Sequence, residues 1–233
     1  RNVTNLKKDA HATYNGIRHP AVPNFMQDWT YKAATGTDLV KHSKHCINGK
    51  CNRCGELDSN THKYRECEEV RKVWRLILRA WARNTGEELN PDDTWVTAWG
   101  RRDHTWNQQN AKEEYGGPKR EEAFRVIHAA TITAIHDEWS KSKPRNARVM
   151  YESVKGHVHR VVSDKATTNP DKFEEVWGDK GLKLAERKGH SVVISMWAKE
   201  AKPAPKEGCI EIYTDGSGEG LGGWGWVAVQ NDT

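Results

Sequence analysis

The chain has 233 residues, 36% of them apolar and 30% charged, with a net charge of +5 and a mean hydropathy of −0.91. That length suits one large domain or two small ones, and no apolar run approaches the ~20 residues that a membrane span needs. Eleven tryptophans exclude a disordered tail and imply several small apolar cores. The first residues do not read as a secretory h-region. Five cysteines, an odd number, are not needed as a disulfide frame at this size. They point to a reduced intracellular setting, nucleus and cytoplasm. The first residue is Arg1, so the chain is expected to be part of a longer polypeptide.

Residues 1–45 are polar and broken by Gly16, Pro20, Pro23 and Gly36. They read as an N-terminal connecting region with one short helix around Asn24–Ala34. Residues 46–83 read as a metal-binding segment followed by a basic amphipathic helix. The spacing is Cys51-x2-Cys54-x7-His62-x4-Cys67. A CxxC pair on a tight turn can aim two thiolates at one point, and Gly55 suits such a turn. The His-x4-Cys pair places two more ligands before the next helix. Three thiolates and an imidazole suit tetrahedral Zn2+ with no open position, which is a structural site. Cys46 is an alternative ligand for one of the four. A redox CxxC would want a strand–helix context, and none is evident.

The helix after the ligands, over 65–83, carries Val70, Val73, Trp74, Ile77, Leu78 and Trp81 on one face. Residues 41–83 hold eleven Lys or Arg against five acids, so the positive excess of the whole chain is concentrated here. Arg53, Lys63, Arg65, Arg71, Lys72, Arg75 and Arg79 are the candidate phosphate contacts. The bland reading of the same residues is a solvated helix face.

Residues 84–200 read as a helical connecting region. Helices are expected over Lys119–Lys141 and Ala147–Asp164, with another starting at Asn169-Pro170, a cap followed by proline. His128 and His136 read as partners of polar groups, and His157 and His159 as exposed. Residues 201–207 read as a stiff, proline-punctuated linker. Residues 208–233 alternate with period two around glycines and read as a β-hairpin.

Two stretches carry a family resemblance. "CNRCGELDSNTHKYRECEEVRKVW" resembles the zinc-binding segment at the C-terminal side of reverse transcriptases from non-LTR (LINE-type) retrotransposons. Cys51, Cys54, Gly55, His62, Cys67 and Trp74 match that pattern, while Asn60 and Thr61 stand where relatives often have glutamate. "IYTDGSGEGLGGWGWVAV" is similar to the opening hairpin of ribonuclease H domains, which often follow such a zinc segment. The resemblance implies a catalytic, Mg2+-binding role for Asp215 in two-metal cleavage of RNA–DNA hybrids. The chain extends 18 residues past Asp215, so the remaining carboxylates of such a site are missing and this chain is expected to be inactive as a nuclease. The polymerase acidic motif is also absent.

The fold class expected is therefore mainly α with a small Cys3His zinc knuckle, then a truncated β-hairpin from the start of an α/β ribonuclease H-like domain. The function expected is a grip on template RNA or target DNA within the reverse transcriptase polyprotein. The alternatives are a zinc-stabilised helical module that contacts proteins, and a decayed reading frame.

Overall fold

Apolar residues three and four apart become helices close to where the spacing puts them. The computed structural model describes residues 17–38, 49–97, 100, 117–139, 141, 146–189, 191–197, 211–213 and 227–229. Helix α1 spans Asn24–Thr35, α2 Glu68–Thr85, α3 Gly117–Trp139, α4 Ala147–Thr168 and α5 Pro170–Val176. The Asn146 side chain accepts the Val149 N–H at 3.1 Å to start α4. Asn169 accepts the Lys172 N–H at 3.2 Å, with Pro170 as the first residue of α5. Helix α4 runs past the expected Asp164 to Thr168, because no breaker stands before Asn169-Pro170 and Ala166 is buried. α2 ends at Gly86, whose φ of 71° is left-handed.

The expectation of several small cores is corrected. Nearly all the described buried apolar residues from Ala21 to Met196 form one contiguous cluster. The reason lies in α3, which is buried nearly all round rather than along one stripe. Helices α1, α4 and α5 and the turn before α2 all pack on it. Its buried charged residues are paired: Arg125 Nε with Glu121 Oε1 at 2.5 Å inside the helix, Glu122 with Lys172 of α5 at 3.4 Å, and Glu138 with Lys141 just past the helix end at 2.5 Å. α1 is likewise part of the core, with Met26 wholly buried. Trp81 of α2 meets Phe124 of α3 edge-on, ring centroids 5.3 Å apart. The indole N–H groups of Trp74 and Trp81 donate to Tyr64 O at 2.9 Å and to Glu87 Oε2 at 3.0 Å.

His128 of α3 sits wholly inside this core and donates from Nε2 to the Thr97 carbonyl at 3.1 Å. Gly100 lies against its ring; a Cβ there would come 2.7 Å from the ring's Cγ, at a φ of 60°. Burial lowers the His128 pKa to about 3. The unfolded chain takes up this proton near pH 6.5, and the folded chain does not until far lower. Stability is therefore full above about pH 6.5 and falls as pH drops toward 3, by up to about 1.4 kcal/mol per pH unit. Denaturant titrations between pH 7 and 4 should show that slope, and His128→Gln should flatten it.

Part of the connecting region is not helical. Strands β1 (Glu186–Lys188) and β2 (Ser191–Val193) pair antiparallel, Arg187 opposite Val192. Three-residue strands with only Val192 buried leave too little alternation to read in the sequence. His157, expected to be exposed, pairs with Asp137 at 3.1 Å, whereas His159 is exposed and reaches the Val192 carbonyl at 3.0 Å.

The chain divides after Trp197 into two compact units. In the second, β3 (Glu211–Tyr213) pairs antiparallel with β4 (Val227–Val229), Ile212 opposite Ala228, as a hairpin requires. The expected linker over 201–207 and Asp215 lie outside the described residues. Among the described residues no helix is long and apolar enough to cross a membrane.

Candidate metal centre

The CxxC loop is a tight hairpin. Lys50 and Leu57 bridge antiparallel, Cys51 N–H donates to Glu56 O at 2.7 Å, and Gly55 N–H donates to Cys51 O at 2.9 Å. Gly55 turns the chain with a φ of 79°, in the left-handed region that favours glycine. The second ligand pair sits on a single π-helical turn, His62–Glu66. Its closing bond runs from Cys67 N–H to His62 O at 2.9 Å. On an α-helical path, positions five apart point about 140° away from each other. The wider turn brings His62 and Cys67 to the same side. Such turns recur at functional sites. Ser59 Oγ holds the start of this segment by accepting the His62 N–H at 3.0 Å.

Together these elements bring Cys51, Cys54, His62 and Cys67 to one point. Their ligand atoms all lie within 4.8 Å of one another, with Cys54 Sγ 3.2 Å from His62 Nε2. Around a tetrahedral zinc with bonds of about 2.3 Å, two sulfurs sit about 3.8 Å apart, so the cluster fits such an ion. Cys51, His62 and Cys67 are buried and Cys54 faces solvent. Cys46, the alternative ligand, lies outside the described residues.

The backbone around the sulfurs favours thiolates. Backbone N–H groups point at all three sulfurs: Arg53 and Cys54 at Cys51, Glu56 at Cys54, and Glu69 and Val70 at Cys67. The last two belong to the first turn of α2, where the helix dipole also favours negative charge. The three thiols hold their protons unequally. A hydrogen bond from Cys67 holds Cys51 at about 4, while Cys67 is pushed up by donating it and by burial. Burial raises Cys54. Asp58, buried beside the loop, is raised first by burial and then by the Cys51 thiolate.

The seven candidate phosphate contacts separate into two groups. Arg71, Lys72, Arg75 and Arg79 are exposed along α2. Lys72 pairs with Glu69 at 2.7 Å and Arg75 reaches Glu68 at 3.9 Å. The other three are occupied in the fold. Arg53 donates to the Ile135 carbonyl of α3 at 3.3 Å, and its Nε and Nη1 are buried. Arg65 is half-buried and donates to Thr97 Oγ1 at 3.0 Å. Lys63 has no exposed side-chain surface at all, which removes it as a surface contact.

Lys63 instead anchors a network that sequence spacing does not reveal. Its Nζ donates to Asp38 Oδ2 at 2.5 Å, and lies 3.0 Å from His136 Nδ1 and 4.2 Å from the centre of the Trp139 ring. Tyr64 also donates to Asp38, at 2.6 Å. His136 stacks on Trp29 of α1 with ring centroids 3.4 Å apart. Burial pushes the Asp38 carboxyl up, but hydrogen bonds from His136, Lys63 and Tyr64 outweigh it and hold the carboxyl well below the usual range. Asp38 is 25 residues from Lys63, and His136 is 73, so no local pattern could have joined them.

Fold and site thus define a mainly helical protein with a four-residue cluster able to hold a metal ion. Comparison with protein-family models, with curated proteins and with solved structures finds no match.

Proposed function

We propose that the cluster holds a structural Zn2+, and that the metal-pinned α2 presents its basic face to RNA or DNA as part of a retrotransposon reverse transcriptase polyprotein. One observation carries the reading. The same π turn that gathers the ligands leads directly into the helix whose exposed face bears Arg71, Lys72, Arg75 and Arg79. Four protein ligands fill a tetrahedron and leave no site for water or substrate, so the ion organises the fold rather than reacting. The donor set, three sulfurs and one nitrogen, favours zinc over magnesium or calcium. The ribonuclease H part, with Asp215 and Mg2+, rests on the "TDGS" motif alone.

The test is affinity as a function of salt. Zinc-loaded chain should bind RNA and DNA oligonucleotides, with the logarithm of the affinity falling linearly against the logarithm of salt concentration. Affinity that does not respond to salt, or none at low salt, refutes the nucleic-acid reading and favours a protein-contacting module.

A further inference from the structure

We infer that Arg53 is a positioning residue of the metal centre: its guanidinium balances the charge of metal-bound thiolates from inside the protein and ties the CxxC loop to α3; this rests on the zinc reading above. Arg53 stands between Cys51 and Cys54, and its backbone N–H points at the Cys51 sulfur. Its side chain turns inward. Nη2 donates to the Ile135 carbonyl of α3 at 3.3 Å, and Nε and Nη1 are buried with no hydrogen-bond partner. The charge is felt at Lys63 and at Glu69. Lys63 follows the ligand His62, and the Glu69 N–H points at the Cys67 sulfur. The guanidinium is therefore within electrostatic reach of the second ligand pair as well as part of the first ligand loop.

A buried cation without a counter-ion needs a physical reason. An arginine stays charged inside a protein, and burying that charge unpaired is costly. Asp58, on the same loop, does not pair with it: the carboxyl is buried and neither oxygen has a hydrogen-bond partner. Three thiolates around a dication leave a net negative charge at the centre. That anion is the counter-charge that the placement of Arg53 fits, and groups outside the ligand set tune metal affinity in this way.

The other cations around the ligands are placed differently. Lys63 pairs with Asp38 at 2.5 Å, Arg65 donates to Thr97 Oγ1 at 3.0 Å, and Lys50 is exposed. Removing the Arg53 charge should therefore act on metal affinity first. With no metal bound, the same guanidinium lacks a full counter-charge, so its removal should not lower stability. A role limited to the hydrogen bond on Ile135 gives the reverse expectation, a loss of stability with or without metal.

Zinc affinity, measured on the full chain by competition with a chromophoric chelator, tests this together with thermal midpoints of the zinc-loaded and metal-free proteins. Arg53→Gln should bind Zn2+ about 10-fold or more weakly, and Arg53→Lys, which keeps the charge, should stay within about threefold of wild type. Arg160→Gln, an exposed charge on α4, should change nothing. The metal-free midpoint of Arg53→Gln should be no lower than that of metal-free wild type. Three results overturn the inference and leave the zinc reading standing: wild-type affinity in Arg53→Gln, an equal loss in Arg53→Lys, or a midpoint that Arg53→Gln lowers equally with and without zinc. Should Arg53→Gln not fold, Arg53→Lys decides alone by the same threefold limit. A wild-type chain that holds no Zn2+ overturns the zinc reading and this inference with it.

Discussion

Cys67→Ser, or stripping the metal with a chelator, is expected to cost at least about 3 kcal/mol of stability, roughly 10 °C in Tm for a chain this size. The loop has little else to hold it. Between Gly49 and Thr61 the buried residues are Cys51 and Asp58, and Leu57 is 76% exposed. Burial that small cannot offset the entropy of ordering the segment, so a bound metal would supply the folding free energy there. Cys67 matters most because it is wholly buried, it closes the π turn, and it caps α2. Its loss unpins the turn and the first turn of α2 together. Cys54 is exposed at the loop tip, so Cys54→Ser should weaken metal retention with a smaller loss of stability. Metal analysis with thermal circular dichroism on the same samples checks both. A Cys67→Ser protein with unchanged Tm, or a wild-type Tm that ignores chelator, would refute the site. Retention should also fall as pH drops, because the ligands bind as thiolates and neutral imidazole.

What the sequence made legible was local. All six positions expected on the buried face of α2, from Val70 to Trp81, are buried. Their periodicity depends only on residues within a few turns. The four-residue cluster was readable for the same reason, since Cys51 and Cys67 are close in sequence. The π turn was not readable, because nothing in "HKYRE" distinguishes it from an ordinary helical turn. Burial of α3 was also hidden. Glu121 and Arg125 look like surface residues until they are seen to neutralise each other inside the core. Lys63 misled in the same way. A lysine in a basic segment reads as solvent-facing, and the partners that take it inside come from α3 and from the chain beyond α1.

That buried lysine yields the second large effect. Asp38→Asn is expected to cost about 3–5 kcal/mol, because it leaves the Lys63 ammonium inside the protein without its carboxylate. Lys63→Met should cost less. Methionine can occupy the same channel against the Tyr64 and Trp139 rings, which now lie 4.8 and 4.2 Å from Nζ. Asp38 would still have the Tyr64 hydroxyl as a donor and 15% of its side-chain surface in water. The asymmetry is the test: denaturant curves at pH 7 should rank Asp38→Asn well below Lys63→Met, and the opposite order would show that the pair is not organised as described. Acid gives an independent readout. The Asp38 carboxyl is held below its unfolded value, so its contribution is present above about pH 4 and is lost as pH falls further. In Asp38→Asn that part of the acid dependence should disappear, while the part from His128, which sets in nearer pH 6.5, should remain. Lys63 follows His62 directly, so loosening this network loosens the imidazole ligand as well. Asp38→Asn should therefore also retain metal less tightly, by about 10-fold or more, although Asp38 is not itself a ligand.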